Sequence, residues 1–139
     1  MKRVLVIDDN NEVRRMISSS LELYNYNVTD INSGDRATEV MSQKIFDLII
    51  CDLFMPDKDG IETILSIRKK YSSVPIILIT GGGRHFPRGG DDLKNLLLSI
   101  EFFDVTHFLM KPFRPSQLVS LVEHALSSAG PRPYDRGVS

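Results

Sequence analysis

The chain has 139 residues, enough for one domain with a substantial hydrophobic core. The formal net charge is −1 at pH 7, which argues against a broad nucleic-acid footprint or a polybasic membrane surface. The single cysteine, Cys51, can form no internal disulfide, and no apolar stretch approaches the length of a membrane span. Too few apolar residues precede Asp8 for a signal peptide. We therefore expect a cytoplasmic domain with no membrane insertion and no direct contact with nucleic acid.

Strand-like and helix-like segments alternate five times along the chain. The predicted strands are residues 4–7, 27–31, 48–51, 76–79 and 107–110. The predicted helices are residues 11–24, a helix capped by Ser33 or Asp35, a helix through 61–71, a helix that Asp91 opens, and a last helix with inward residues between 118 and 126.

Five such units joined by parallel crossovers predict a doubly wound α/β sheet with helices on both faces. Segment 27–31 has only one apolar side, whereas the first, third and fourth strands are apolar throughout, as strands buried on both faces are. This pattern fits a flavodoxin-like parallel sheet of order 2-1-3-4-5. The expected domain is 1–128, and 129–139 form a C-terminal tail or the start of a linker, because Gly130-Pro131 ends the last helix.

Charged residues follow three of the predicted strands: Asp8 and Asp9, Asp52, and Lys111. The carboxyl ends of the strands of such a sheet line one crevice, so these side chains should meet there. Clustered carboxylates repel one another unless a cation neutralises them, and an all-oxygen site that admits a phosphate suits Mg2+. Asp52 can then act as a nucleophile toward phosphorus and form an aspartyl phosphate, while the ammonium of Lys111 stabilises the developing charge.

The carboxylates also have a purely structural interpretation. Either Asp8 or Asp9 can cap the first helix, and Asp52 can cap a turn. An adjacent pair is harder to explain in this way, because one cap suffices and the second charge would face Asp52 without compensation.

Thr80 and Lys111 have similar alternatives. A β-branched threonine at the end of a strand is ordinary strand composition, and a lysine there normally extends to solvent. The functional interpretation places the Thr80 hydroxyl beside the crevice, with Gly81 leaving room for a phosphoryl group. A cis peptide bond at Pro112 could aim Lys111 inward.

Four segments of the chain together resemble the receiver domains of bacterial two-component response regulators, close to the single-domain chemotaxis type. They are Asp8-Asp9, residues 52–62, Thr80-Gly81 and residues 108–113, within a resemblance that covers roughly residues 2–128. The resemblance implies that Asp52 accepts a phosphoryl group from a sensor histidine kinase, a phosphotransfer protein or a small phosphodonor. It also implies a signalling domain that catalyses only its own phosphoryl transfer and dephosphorylation, and that acts on a downstream protein through a conformational switch.

The same resemblance implies a Mg2+ site. Asp9 and Asp52 would bind the metal through their side chains, Asp8 largely through water, and Phe54 through its backbone carbonyl.

The resemblance further implies that Thr80 and Lys111 contact the phosphoryl oxygens. Phe108 matches an aromatic switch position that turns inward when Thr80 moves. Phe108 lacks the hydroxyl of the tyrosine that is commoner there.

Two further segments depart from the family pattern. The loop of residues 81–90 is longer than the norm and carries Arg84, His85 and Arg88, and Asp104-Val105 replaces the usual Gly-Ala. We expect the loop to become ordered over the phosphorylated site. The alternative is a passive insertion.

Other phosphate-related classes lack their motifs. Residues 8–12 repel a flavin phosphate, Asn10 replaces the second aspartate of a dehalogenase-type phosphatase, and no Walker pattern is present. The remaining alternative is a phosphorylation-independent protein-interaction module on the same fold.

Overall fold

The computed structural model describes residues 1–53, 60–81, 105 and 107–129. It contains a sheet of five strands: β1 (Arg3–Ile7), β2 (Asn27–Ile31), β3 (Leu48–Asp52), β4 (Ile76–Thr80) and β5 (His107–Met110). All neighbouring strands are parallel, and their order is β2-β1-β3-β4-β5. The predicted flavodoxin-like topology is confirmed.

Within the described residues, four α-helices connect or follow these strands: α1 (Asn11–Leu23), α2 (Ala37–Gln43), α3 (Gly60–Lys70) and α4 (Pro115–Ala129). Neither predicted residue caps α2, whose N-cap is Arg36 without a side-chain cap bond. Ser33 instead caps the 3-10 turn Gly34–Arg36 that leads into α2, where its hydroxyl accepts the Asp35 N–H at 3.2 Å. The helix expected from Asp91 and residues 130–139 lie outside the described residues. No helix in the described ranges combines the length and apolarity needed to cross a membrane.

The sheet is covered by an apolar layer on each face, which explains the continuous apolar runs of β1, β3 and β4. One layer lies against α2 and α3 and includes Leu5, Ile7, Ile49, Ile64 and Ile67. The other lies against α1 and α4 and includes Val4, Ile17, Ile50, Ile77, Leu118 and Val122.

The two edge strands are less buried than the three central ones. On β2 no residue is fully buried, as its polar pattern predicted. On β5 the alternate residues His107 and Leu109 are half-buried, and Phe108 and Met110 are exposed. Because all five strands are parallel, the carboxyl ends of β1, β3, β4 and β5 lie at the same end of the sheet.

Candidate functional site

Three carboxylates and one ammonium meet at the carboxyl ends of the strands. Asp8 follows β1, Asp52 closes β3, and Lys111 follows β5. One oxygen from each of Asp8, Asp9 and Asp52 lies within 4.8 Å of the other two. The Lys111 Nζ lies 3.4 Å from Asp8 Oδ2 and 3.4 Å from Asp52 Oδ2. The structure thus brings together the four charged side chains that the sequence analysis selected.

Asp8 is the most buried charged group of this cluster, with no exposed surface. Burial raises the pKa of its carboxyl above the usual value, and this effect outweighs the opposing hydrogen bond from the Asn10 N–H and the charge of Lys111. Asp8 Oδ1 accepts the Asn10 N–H at 2.8 Å. Among the described residues, no group meets hydrogen-bond geometry at Asp8 Oδ2, and the Lys111 Nζ, 3.4 Å away, contacts it as an ion pair.

This donor set fits a small divalent cation. The ligands are all oxygens, two of the carboxylates are buried, and one oxygen of Asp8 lacks a hydrogen-bond donor. One lysine cannot neutralise three carboxylates, whereas Mg2+ binds such oxygens and keeps part of its water shell. Asp8, Asp9 and Asp52 can therefore hold the ion together. Phe54, the fourth predicted ligand, lies outside the described residues.

The helix-capping interpretation of Asp8 and Asp9 does not hold. The N-cap of α1 is Asn10, whose side chain accepts the Val13 N–H at 3.0 Å. The Asp8 carboxylate instead accepts the Asn10 N–H and so shapes the turn ahead of the helix. Sequence alone left this open, because three adjacent residues of good capping type precede α1.

Asp52 is held by a close approach between β3 and α3. The Leu53 N–H donates to the Ile79 carbonyl at 2.9 Å, and the Gly60 N–H donates to the Leu53 carbonyl at 2.8 Å. A Cβ atom on Gly60 would lie 2.5 Å from the Asp52 carbonyl oxygen, so a larger residue would displace the strand end. Gly60 lies within segment 52–62, but no role was predicted for it. The available signal was a glycine at the start of a helix shortly after a buried strand.

Thr80 and Lys111 are joined through the backbone. Thr80 closes β4 and is largely buried, and its carbonyl accepts the Lys111 N–H at 2.7 Å. The Lys111-Pro112 peptide bond is cis. A Cβ atom on Gly81 would meet no atom of the described residues within 4 Å, so these residues leave space beside Thr80.

Phe108 points away from the core. It is 46% exposed and borders an open groove of about 500 Å³. The other lining residues are Leu109, Ser116, Gln117, Ser120, Leu121 and His124. The predicted switch residue thus stands in an outward position, and residues 82–90 of the predicted loop lie outside the described residues.

Arg14 contacts the backbone of Asp8, and this contact was not predicted from the sequence. Its Nη1 donates to the backbone carbonyl of Asp8 at 2.8 Å, and its Nε donates to Asp30 Oδ1 at 3.1 Å. No sequence signal could have revealed the first contact, because its acceptor is a main-chain oxygen.

Sequence comparisons identify relatives of this chain. The family model described as "Response regulator receiver domain" matches residues 4–123. Transcriptional regulatory protein ResD of Bacillus subtilis is 33% identical over 138 residues, which cover 95% of this chain and 51% of ResD. CpxR of Escherichia coli K12 is 29% identical over 126 residues, which cover 91% of this chain and 50% of CpxR. The chain spans about half the length of the curated relatives it matches.

Solved structures agree with the sequence relatives. Chemotaxis protein CheY4 of Vibrio cholerae matches with a TM-score of 0.77 and 26% identity, over 91% of this chain and 99% of CheY4. Because the family match runs from β1 into α4, and so includes every strand that positions the acidic crevice, this chain belongs to the response regulator receiver domain family.

Proposed function

We propose that this receiver domain is a phosphoacceptor in a two-component phosphorelay and that it is phosphorylated on Asp52 in a reaction that requires Mg2+. The observation that supports this most strongly is the position of the Lys111 Nζ, 3.4 Å from the carboxylates of both Asp8 and Asp52. An ammonium between two buried carboxylates can stabilise negative charge that arrives on Asp52.

In the proposed reaction an oxygen of Asp52 attacks the phosphorus of the donor. The bond between phosphorus and the donor's leaving group breaks, and an acyl phosphate forms on Asp52. Asp9 and Asp52, with Asp8 largely through water and the Phe54 carbonyl as a further ligand, would hold Mg2+, which would neutralise charge on the phosphoryl oxygens.

The remaining groups bind the transferred phosphoryl group. Lys111 already donates to Asp52 Oδ2 and can follow the new charge onto the phosphoryl oxygens. The Thr80 hydroxyl would donate to another of these oxygens. Water attack on phosphorus would break its bond to the Asp52 oxygen, release inorganic phosphate and regenerate the free carboxylate. The proposed catalysis is thus the domain's own phosphoryl transfer and dephosphorylation.

We further propose that the donor is a sensor histidine kinase or a phosphotransfer protein, and that the output partner is a protein, in the cytoplasm. ResD and CpxR are named as transcriptional regulators, and this chain matches about half of each. Its proposed receiver domain, residues 1–128, has no need of direct contact with nucleic acid to signal.

The decisive experiment is labelling with acetyl phosphate and Mg2+, followed by intact mass analysis. We expect one added phosphoryl group on the parent chain and none on Asp52→Ala or in the presence of EDTA. Asp35→Asn is the matched control, because it removes an exposed carboxylate that is not part of the cluster of Asp8, Asp9 and Asp52. Labelling of Asp52→Ala to the same extent as the parent would overturn the proposal.

A further inference from the structure

The Arg14 guanidinium donates hydrogen bonds to three acceptors next to the Asp8-Asp9 turn. Its Nη1 donates to the Asp8 carbonyl at 2.8 Å, its Nε to Asp30 Oδ1 at 3.1 Å, and its Nη2 to Asn11 Oδ1 at 2.7 Å. The Arg14 side chain is only 15% exposed. One guanidinium group therefore links the turn after β1, the start of α1 and strand β2.

The β2 end of this link is itself fixed. Asp30 Oδ2 accepts the hydroxyl of Ser18 at 3.1 Å, so both oxygens of Asp30 have donors on α1. The residue after Asp30, Ile31, accepts the Asp8 N–H at 3.2 Å. Consequently the Asp8 peptide groups are held on both sides: the N–H by β2, and the carbonyl by Arg14.

We propose that Arg14 is a positioning residue for the cation site, whose guanidinium is anchored on Asp30 and fixes the backbone from which Asp8 and Asp9 project. This inference rests on the proposed function, because it assumes that the crevice binds Mg2+. Mg2+ requires nearly ideal octahedral geometry, so a small rotation of the Asp8-Asp9 turn weakens binding. Groups that orient metal ligands from outside typically account for about 10–100-fold in affinity, and Arg14 should fall near tenfold because it contacts the backbone.

The shape of the guanidinium matters more than its charge. Lysine keeps the charge but lacks the planar fork that reaches Asp8, Asn11 and Asp30 together. Arg14→Lys should therefore behave like Arg14→Ala in Mg2+ binding. Arg15 is the matched control, because it is the next residue on α1 and is exposed, so Arg15→Ala removes the same charge without the contacts.

The test is calorimetric titration of each purified chain with MgCl2, alongside thermal unfolding in EDTA. We expect about tenfold weaker Mg2+ binding for Arg14→Lys and Arg14→Ala, and parent affinity for Arg15→Ala. Labelling by acetyl phosphate should need correspondingly more Mg2+ in the two Arg14 variants and approach the parent extent at saturation. Asp30→Asn, a milder change, should weaken Mg2+ binding by a smaller factor and serves if an Arg14 variant fails to fold.

Three results would overturn the inference. Parent affinity in Arg14→Lys would show that charge suffices. An equal loss in Arg15→Ala would show a general electrostatic effect. Lower thermal stability of the Arg14 and Asp30 variants with unchanged Mg2+ affinity would show a structural role alone. If the parent binds Mg2+ and is labelled while these results occur, only the role of Arg14 fails; a parent that does neither removes the proposed function and this inference with it.

Discussion

Lys111, which follows β5, donates a hydrogen bond to Asp52, the last residue of β3, with 3.4 Å between Nζ and Oδ2. Strand β4 lies between these two strands in the sheet. The bond forms because β3 and β5 both end at the same edge, with β4 between them. The same ammonium contacts Asp8, which follows β1, the strand that pairs with β3 on the side away from β4. The Lys111 ammonium therefore neutralises part of the negative charge of the Asp8 and Asp52 carboxylates.

Replacing Lys111 by methionine should destabilise the metal-free domain, because two buried carboxylates lose their common cation. We expect about 2 kcal/mol lower free energy of unfolding, the usual size for a hydrogen bond to a charged group, measured by urea denaturation in EDTA. Phosphorylation of Asp52 should slow markedly. Lys69→Met, an exposed lysine on α3, is the control and should change neither quantity. Equal stability and equal labelling rates in Lys111→Met and parent would contradict the prediction.

Asp8→Asn should stabilise the metal-free domain and remove its response to Mg2+. Burial raises the pKa of Asp8 above its unfolded value, so the folded state loses stability as pH rises through that pKa and the carboxyl ionises. At pH 7 asparagine avoids this cost, and we expect a melting temperature in EDTA about 4 °C higher.

The parent chain should instead gain stability from MgCl2, since a ligand that binds only the folded state stabilises it. Thermal unfolding with and without MgCl2 measures both effects. A lower melting temperature of Asp8→Asn in EDTA, or an undiminished gain from MgCl2, would refute the prediction.

The acidic crevice was predictable because the charged residues directly follow strands that can be recognised in the sequence. Asp8, Asp52 and Lys111 each follow an apolar run, and parallel topology alone brings such positions together. The hydrogen-bonding groups that hold the crevice were less accessible. The N-cap of α1 is Asn10, whereas only Asp8 and Asp9 were predicted as caps, and the role of Gly60 depends on a contact with the end of β3. Arg14 depends on where two strands place a carbonyl and a carboxylate, which no periodicity encodes.

His107 should make the domain less stable in mild acid. Burial, and then the charge of His124, lowers the pKa of His107 below its usual value of 6.5. Its ring lies against that of His124, with centroids 5.5 Å apart. A depressed pKa means that the unfolded state binds the proton more tightly, so stability present above about pH 6.5 is lost as pH falls toward the folded pKa.

Urea midpoints at pH 7.5 and 5.5 test this prediction. His107→Gln should show a smaller drop on acidification than the parent, and His124→Gln an intermediate drop, because it removes the second cause of the shift. The effect is modest, since His107 is only half-buried. An identical acid drop in parent and His107→Gln would show that other groups control it.

Phe108 should move from solvent toward the core when Asp52 is phosphorylated. The side chain is 46% exposed beside the groove against α4, and a phosphoryl group can shift its position only by favouring one conformation over the other. The chain contains no tryptophan, so Phe108→Trp introduces a single reporter of this movement. We expect its emission to shift to shorter wavelength when beryllofluoride and Mg2+ are added. Tyr24→Trp, exposed at the end of α1, is the control and should not respond.

Phe108→Ala should leave labelling of Asp52 nearly intact while abolishing the partner's response. Unchanged emission from Phe108→Trp in a chain that binds beryllofluoride, or equal partner affinity for phosphorylated parent and phosphorylated Phe108→Ala, would rule out the switch.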